Sequence, residues 1–115
     1  MNTVLDPEFA CMVISLISNG KVDEALDALS KFYGVTKPRL RIGRVKGKVR
    51  SPAVYIARNK TIVVQDASHL NNPLVILHEF YHHLRYVGGV HRGTETKADE
   101  YAKSFIYTCI SNKGK

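Results

Sequence analysis

Residues 72–89 read NPLVILHEFYHHLRYVGG, and this segment carries the strongest structural signals in the chain. Asn72 can cap a helix, Pro73 is tolerated at the first helical position, and Gly88-Gly89 can end the helix. The apolar residues between these signals recur at helical spacing on one arc: Ile76, Leu77, Phe80, Leu84 and Val87. The pattern predicts an amphipathic helix with one face to bury and another face that carries histidines.

The same helix contains the motif H-E-x-x-H, formed by His78, Glu79 and His82. Residues four apart lie about 40° apart around a helix axis, so the two imidazoles face one point. Two neutral imidazoles, one carboxylate and a position open to water form the pattern of a catalytic zinc site. Zinc lowers the pKa of that water, and Glu79 on the adjoining flank is placed to take its proton. The motif therefore predicts one Zn²⁺ per chain.

Candidates for a third ligand follow the helix. A metzincin would need Gly and His where this chain has Arg85 and Gly88, so that class is excluded. His91 follows the glycine turn, and Glu95 and Asp99 form an i,i+4 pair on the next predicted helix. That pair can supply one carboxylate to the metal and a second to orient a ligand imidazole, whereas His91 has no comparable companion.

The rest of the chain predicts an α+β domain. In order, the signals indicate helices from Asp6-Pro7 to about Ser18 and from about Val22 to Phe32, strands over Arg39–Arg44, Ala53–Ala57 and Thr61–Gln65, the helix already described, and a last helix from near Thr94 to about Ile110. Arg58-Asn59-Lys60 between the last two strands predicts a hairpin, and Gly43 is a candidate bulge. The predicted fold has two N-terminal helices, a small three-stranded twisted sheet with a hairpin, an active-site helix and a glutamate helix.

Length and composition agree with one domain over residues 1–115, with 44% apolar residues. No apolar run approaches the ~20 residues that span a bilayer, and no basic segment precedes the first apolar stretch, so we expect a cytoplasmic protein. Cys11 and Cys109 do not form a disulfide framework, and we expect both to be small core residues. His69 is expected in a loop, and His83 on the surface or beside the metal site.

The net charge of +7 is unevenly distributed, because no acidic residue occurs between Ala28 and Gln65. The basic segment 37–50 is the densest part of this region. It is either a solvated strand-and-loop face or a field that attracts nucleic acid or an acidic polypeptide. No zinc finger, aromatic RNP pattern or recognition helix accompanies it, so the charge alone does not name a partner.

His78-Glu-Phe-Tyr-His82 followed by Glu95-Thr-Lys-Ala-Asp99 resembles the gluzincin signature, H-E-x-x-H followed by E-x-x-x-D, of thermolysin-like peptidases. The small size and the order of elements most resemble the minigluzincins, single-domain versions of that zincin-like catalytic core. The segment 95–102 is also similar to a stretch of the ImmA/IrrE-like metallopeptidases. The resemblance implies a zinc-dependent endopeptidase, weakly active or latent, that acts on extended polypeptide.

Residue by residue, the resemblance implies that His78, His82 and Glu95 ligate zinc, that Glu79 acts as general base and then acid, and that Asp99 orients His78. It also implies that an upper-rim strand pairs with the substrate by β-augmentation; its residues would be Ala53, Val54, Tyr55, Ile56 and Ala57. Larger gluzincins add a subdomain that supplies oxyanion donors. Here Tyr86, His91 or Tyr101 are the candidates for that role.

Two alternatives stay open. A SprT-like, DNA-associated protease would use His91 as the third ligand and would give the basic segment a purpose. The second alternative is not an enzyme: a nucleic-acid- or protein-binding module with non-catalytic zinc.

Overall fold

A computed structural model of the chain describes residues 5–44, 51–89 and 94–113. Residues 112 and 113 are described by their backbone alone. The elements are α1 (Pro7–Ser18), α2 (Val22–Tyr33), β1 (Arg39–Ile42), β2 (Ala53–Ile56), a 3-10 turn (Ala57–Asn59), β3 (Thr61–Val64), a second 3-10 turn (Ala67–Asn71), α3 (Pro73–Val87) and α4 (Glu95–Lys113). The α+β class and the order of helices and strands are confirmed. The basic loop predicted over 45–50 lies outside the described residues.

The helices begin and end at the residues that carry the local signals. The Asp6 carboxylate accepts a hydrogen bond from the backbone N–H of Phe9, and the Asn72 side chain accepts one from Leu74. Each side chain satisfies an N–H group that the first helical turn leaves without a partner. Gly34 ends α2 in the left-handed conformation, with φ 68°, which a residue without Cβ adopts at little cost.

The sheet has three strands in the order β1-β3-β2, with β1 parallel and β2 antiparallel to β3. The predicted hairpin between β2 and β3 is confirmed, and its turn closes at Lys60, whose φ is 51°. All of β3 is buried, as expected for the central strand. β1 ends at Ile42, two residues earlier than predicted, and the N–H of Gly43 still donates to the carbonyl of Val64.

One face of the sheet packs on the helices to form the core. Its largest fully buried side chains are Phe80, Phe105, Ile17, Leu26, Leu29, Ile62, Ile76 and Leu77. They come from all four helices and from β3, so the apolar arc predicted for α3 does face the core. Burial on this side fixes α3 against the sheet and leaves its opposite side toward a cleft.

The prediction for the two cysteines is wrong in one respect. Cys11 and Cys109 form a disulfide that joins α1 to α4, with their Cα atoms 5.0 Å apart. The two residues are 98 positions apart, and only the packing of α1 on α4 brings them together. Neither spacing nor composition carries that information.

Two further differences concern the end of α4 and the 3-10 turns. Helix α4 extends to Lys113, three residues beyond the predicted end at Ile110, and neither 3-10 turn was predicted. In the described ranges, no helix is both long enough and apolar enough to cross a bilayer.

Candidate metal centre

Three side chains of α3 converge where the motif predicts. Ligand atoms of His78, Glu79 and His82 all lie within 4.8 Å of one another, a group that could hold a metal ion. His82 lies one helical turn after His78, and their ring centroids are 5.2 Å apart. His82 and Glu79 are each only 7% exposed, so the site is at the bottom of a cleft.

Glu95, the first residue of α4, places its carboxylate between the two imidazoles. Its Oε1 atom lies 2.9 Å from Nε2 of His78, and its Oε2 atom lies 2.9 Å from Nε2 of His82. Ligands bound at zinc distances in a tetrahedron are about 3.3 Å from one another. The two distances from Glu95 to the imidazoles are thus a few tenths of an ångström shorter than that ligand spacing. The chemistry of this donor set, two imidazoles and one carboxylate, fits that metal.

Asp99 lies one turn after Glu95 and contacts the other nitrogen of the same histidine. Its Oδ1 atom is 2.7 Å from Nδ1 of His78, so the Nδ1–H group can donate to the carboxylate. Such a bond fixes the ring orientation and leaves Nε2 directed at the centre. Burial alone would lower the pKa of His78, but the hydrogen bond with Glu95, the charge of Glu79 and the bond to Asp99 outweigh it and raise the pKa.

Glu79 is close to the centre without occupying the same position as Glu95. One of its carboxylate oxygens lies 3.9 Å from Nε2 of His78, and the carboxylate accepts a hydrogen bond from the backbone N–H of Tyr55. Burial raises the pKa of Glu79 even though His78 and His82 oppose the shift. A carboxylate of raised pKa is a better proton acceptor, and its acid form remains available to return the proton.

Two cavities meet at this centre. The larger, about 660 Å³, is bordered by β2 and contains Glu79 and His82. The smaller, about 260 Å³, is lined by Pro52, Leu74 and Val75 and reaches His78. Both also touch Glu95. The cleft thus runs along β2, with the candidate metal centre between its two halves.

The backbone of β2 presents hydrogen-bonding groups to this cleft. The N–H of Gln65 donates to the carbonyl of Pro52, and Ala53 lies opposite Val64. Because antiparallel pairs alternate, the N–H and C=O groups of Ala53 and Tyr55 point away from β3, toward the outer edge of the described sheet. The bond from Tyr55 to Glu79 agrees with that direction.

The expected position of His83, on the surface or beside the metal, is wrong. The residue is fully buried; its Nε2–H group donates to the carbonyl of Thr36 at 2.6 Å, and Nδ1 accepts from the hydroxyl of Tyr55 at 2.7 Å. Burial lowers the pKa of His83 and raises that of Tyr55 to about 12. The sequence did carry a signal, because His83 lies seven residues after Ile76 and thus on the buried arc. Its function here is to tie α3 to β2.

The remaining predicted residues are placed as follows. Tyr86 is 42% exposed and lines a different cavity, with Thr36 and Lys60, so its proposed part as an oxyanion donor stays a prediction. The hydroxyl of Tyr101 donates to that of Tyr33 at 2.9 Å, which makes it a packing residue between α4 and α2. His91 lies outside the described residues.

His69 lies in the second 3-10 turn, with Nε2 3.8 Å from the Asp66 carboxylate.

No protein-family model, curated protein or solved structure matches the chain. The resemblance to minigluzincins therefore stays a prediction from the motif, and the chemistry of the site has to carry any functional conclusion.

Proposed function

We propose that this protein is a zinc-dependent endopeptidase of the gluzincin type, with His78, His82 and Glu95 as ligands. The observation that supports it most is the Glu95 carboxylate, 2.9 Å from both Nε2 atoms and beside the buried Glu79. An ordinary stabilising ion pair involves one histidine and one carboxylate. Here two imidazoles share the Glu95 carboxylate, and the Glu79 carboxylate lies nearby in the same cleft. This arrangement is suited to metal-assisted hydrolysis.

The outer edge of β2, which pairs with no other strand among the described residues, supports a polypeptide substrate. An extended chain that lies along this edge can pair with the outward N–H and C=O groups of Ala53 and so be held straight across the centre, beside the Tyr55 N–H that donates to Glu79. Two such backbone hydrogen bonds fix the position of the scissile carbonyl in the cleft without requiring a particular side chain. The predicted substrate strand, residues 53–57, lines the larger cavity along its whole length.

In the proposed reaction, zinc would supply a water of lowered pKa and polarise the substrate carbonyl. Glu79 accepts a hydrogen bond from that water and takes its proton as the new C–O bond forms. It then gives the proton to the amide nitrogen as the C–N bond breaks, so no net proton is gained or lost by the side chain. The raised pKa of Glu79 assists the second transfer, and Asp99 keeps the ring of His78 in place.

The test separates binding of metal from chemistry. Purified wild type should contain one zinc per chain and hydrolyse casein or quenched fluorogenic peptides. Glu79→Gln should retain the zinc and lose hydrolysis, by roughly 10²–10⁴-fold or more for a general base. Equal activity in wild type and Glu79→Gln, or no hydrolysis by zinc-loaded wild type, would refute the proposal.

The third ligand needs its own test, since His91 is the alternative. Zinc affinity of Glu95→Ala and His91→Ala should be compared by competition with a chromophoric chelator. We expect a large loss in Glu95→Ala and little change in His91→Ala, because Glu95 already contacts both imidazoles. The reverse order would favour the SprT-like ligand set.

A further inference from the structure

The basic residues of the sheet have no acidic partners in the described part of the chain. All ten acidic residues lie within the described ranges, and the lysines that pair with them, Lys31, Lys37 and Lys97, pair with residues of α2 and α4. Arg39, Arg41 and Arg58 take part in none of the described ion pairs and are exposed. The positive charge at the sheet is therefore available to a ligand.

Arg58 is the one of these that belongs to the cleft. It lines the larger cavity together with Tyr55, Glu79 and His82, and among the described lining residues it is the one lysine or arginine. It follows Tyr55 by three residues, which places it within roughly 10 Å of the point where Tyr55 meets the general base. A ligand chain that passes the centre along β2 must also pass Arg58.

The direction of that chain decides which side of the scissile bond meets Arg58. Antiparallel pairing is the slightly more stable arrangement, and β2 already pairs in that way with β3. In an antiparallel complex, residues before the scissile bond lie along the end of β2 that leads to Arg58. Residues after the bond lie toward Pro52 and Leu74, where the smaller cavity is apolar in part.

Arg39 and Arg41 act at longer range. They alternate with Leu40, which packs on the core, so their side chains lie on the opposite face of the sheet. They belong to β1, two strands away from the cleft edge of β2, which is about 10 Å. That is more than the Debye length of about 8 Å at physiological salt, so their charge is largely screened at the cleft and adds to the attractive field mainly at lower ionic strength.

We propose that the cleft selects acidic polypeptide segments, with an Asp or Glu two to four residues before the scissile bond held by Arg58. The inference rests on the proposed function for the position of that bond. A polypeptide fits better than a nucleic acid, because an extended peptide backbone presents N–H and C=O groups at the spacing of a strand and so can pair with the outward groups of Ala53.

Cleavage provides the first test. Matched fluorogenic peptides should carry a block of three Glu or three Gln, either before or after one cleavable bond. We expect the peptide with Glu before the bond to be cut with two- to fivefold higher kcat/KM than its Gln counterpart, the range of a solvent-exposed ion pair. Arg58→Gln should remove this ratio, whereas Lys31→Gln, which makes the same charge change on α2, should preserve it. Equal rates on both peptides, or a preference only for Glu after the bond, would overturn the proposal.

Binding provides a test that does not need hydrolysis. Zinc-loaded Glu79→Gln and its Arg58→Gln double variant should be titrated with the same labelled peptides by fluorescence anisotropy, at low and high salt. Selective, salt-sensitive binding of the acidic peptide that depends on Arg58 would stand even if the wild type proves unable to hydrolyse any peptide. Binding without charge selectivity, or tighter Arg58-dependent binding of a DNA oligonucleotide, would overturn the inference and leave the peptidase proposal untouched.

Discussion

Cys11→Ala should remove a large share of the stability of this fold. The substitution breaks the bond between α1 and α4 at its less buried end, and alanine favours a helix. Cys109, which is 7% exposed, stays in place in the core, so little packing is lost. The change in stability therefore reports mainly on the cross-link.

Its magnitude follows from the length of chain that the bond closes. A sequence separation of 98 residues corresponds to about 4.7 kcal/mol in the chain-entropy treatment, and measured bonds give about 2–5 kcal/mol. A chain of 115 residues has roughly 6–17 kcal/mol of total stability at 0.05–0.15 kcal/mol per residue. A contribution of about 4.7 kcal/mol would then be between about a quarter and four fifths of the total.

Urea unfolding followed by circular dichroism, with a chelator present to remove any metal contribution, measures the effect. We expect the midpoint to fall strongly in Cys11→Ala and to fall as much in wild type treated with a reductant. The variant itself should not respond to reductant, which controls for other effects of the reagent. Two titratable thiols in denatured, unreduced wild type, together with equal stability of wild type and variant, would refute the reasoning.

Three smaller changes test the site and its support. Asp99→Asn should weaken zinc binding about 10–100-fold, since it loosens the ring of His78; chelator competition measures it, and unchanged affinity would contradict a positioning function. Tyr55→Phe should cost about 1–3 kcal/mol in urea unfolding, because it leaves Nδ1 of His83 buried without its donor; a neutral effect would argue against that hydrogen bond. Burial holds the pKa of the His83 imidazole below its ordinary 6.5. Below pH 6.5 the unfolded chain therefore binds more protons at this residue than the folded chain does. The stability that the neutral, buried ring contributes above pH 6.5 is lost as the pH falls. The advantage of wild type over His83→Gln should therefore grow with pH; a flat difference would count against a neutral buried ring.

Much of the fold was accessible from local chemistry. Asp6 and Asn72 cap α1 and α3 where their sequence signals predict, and Gly34 ends α2. The spacing of His78 and His82 depends only on helical geometry, so their convergence could be predicted with no knowledge of the rest of the chain.

What could not be predicted depends on contacts between distant parts of the chain. Glu95 was predicted as a ligand, but the position of its carboxylate, 2.9 Å from both imidazoles, requires the packing of α4 on α3, which no spacing rule supplies. The burial of His83 depends on Tyr55 and on a backbone carbonyl 47 residues away. The strand order β1-β3-β2 likewise follows from a parallel pairing that sequence patterns do not specify.

The outer edge of β2 also bears on how the protein behaves at high concentration. An open strand edge that can accept a peptide can accept the same edge of a second copy, which is a common route to aggregation. The net charge of +7 opposes such contacts, and Arg58 beside the edge brings like charges together when two copies approach. Added salt screens this repulsion, so the protein should be easiest to keep monomeric in dilute buffer.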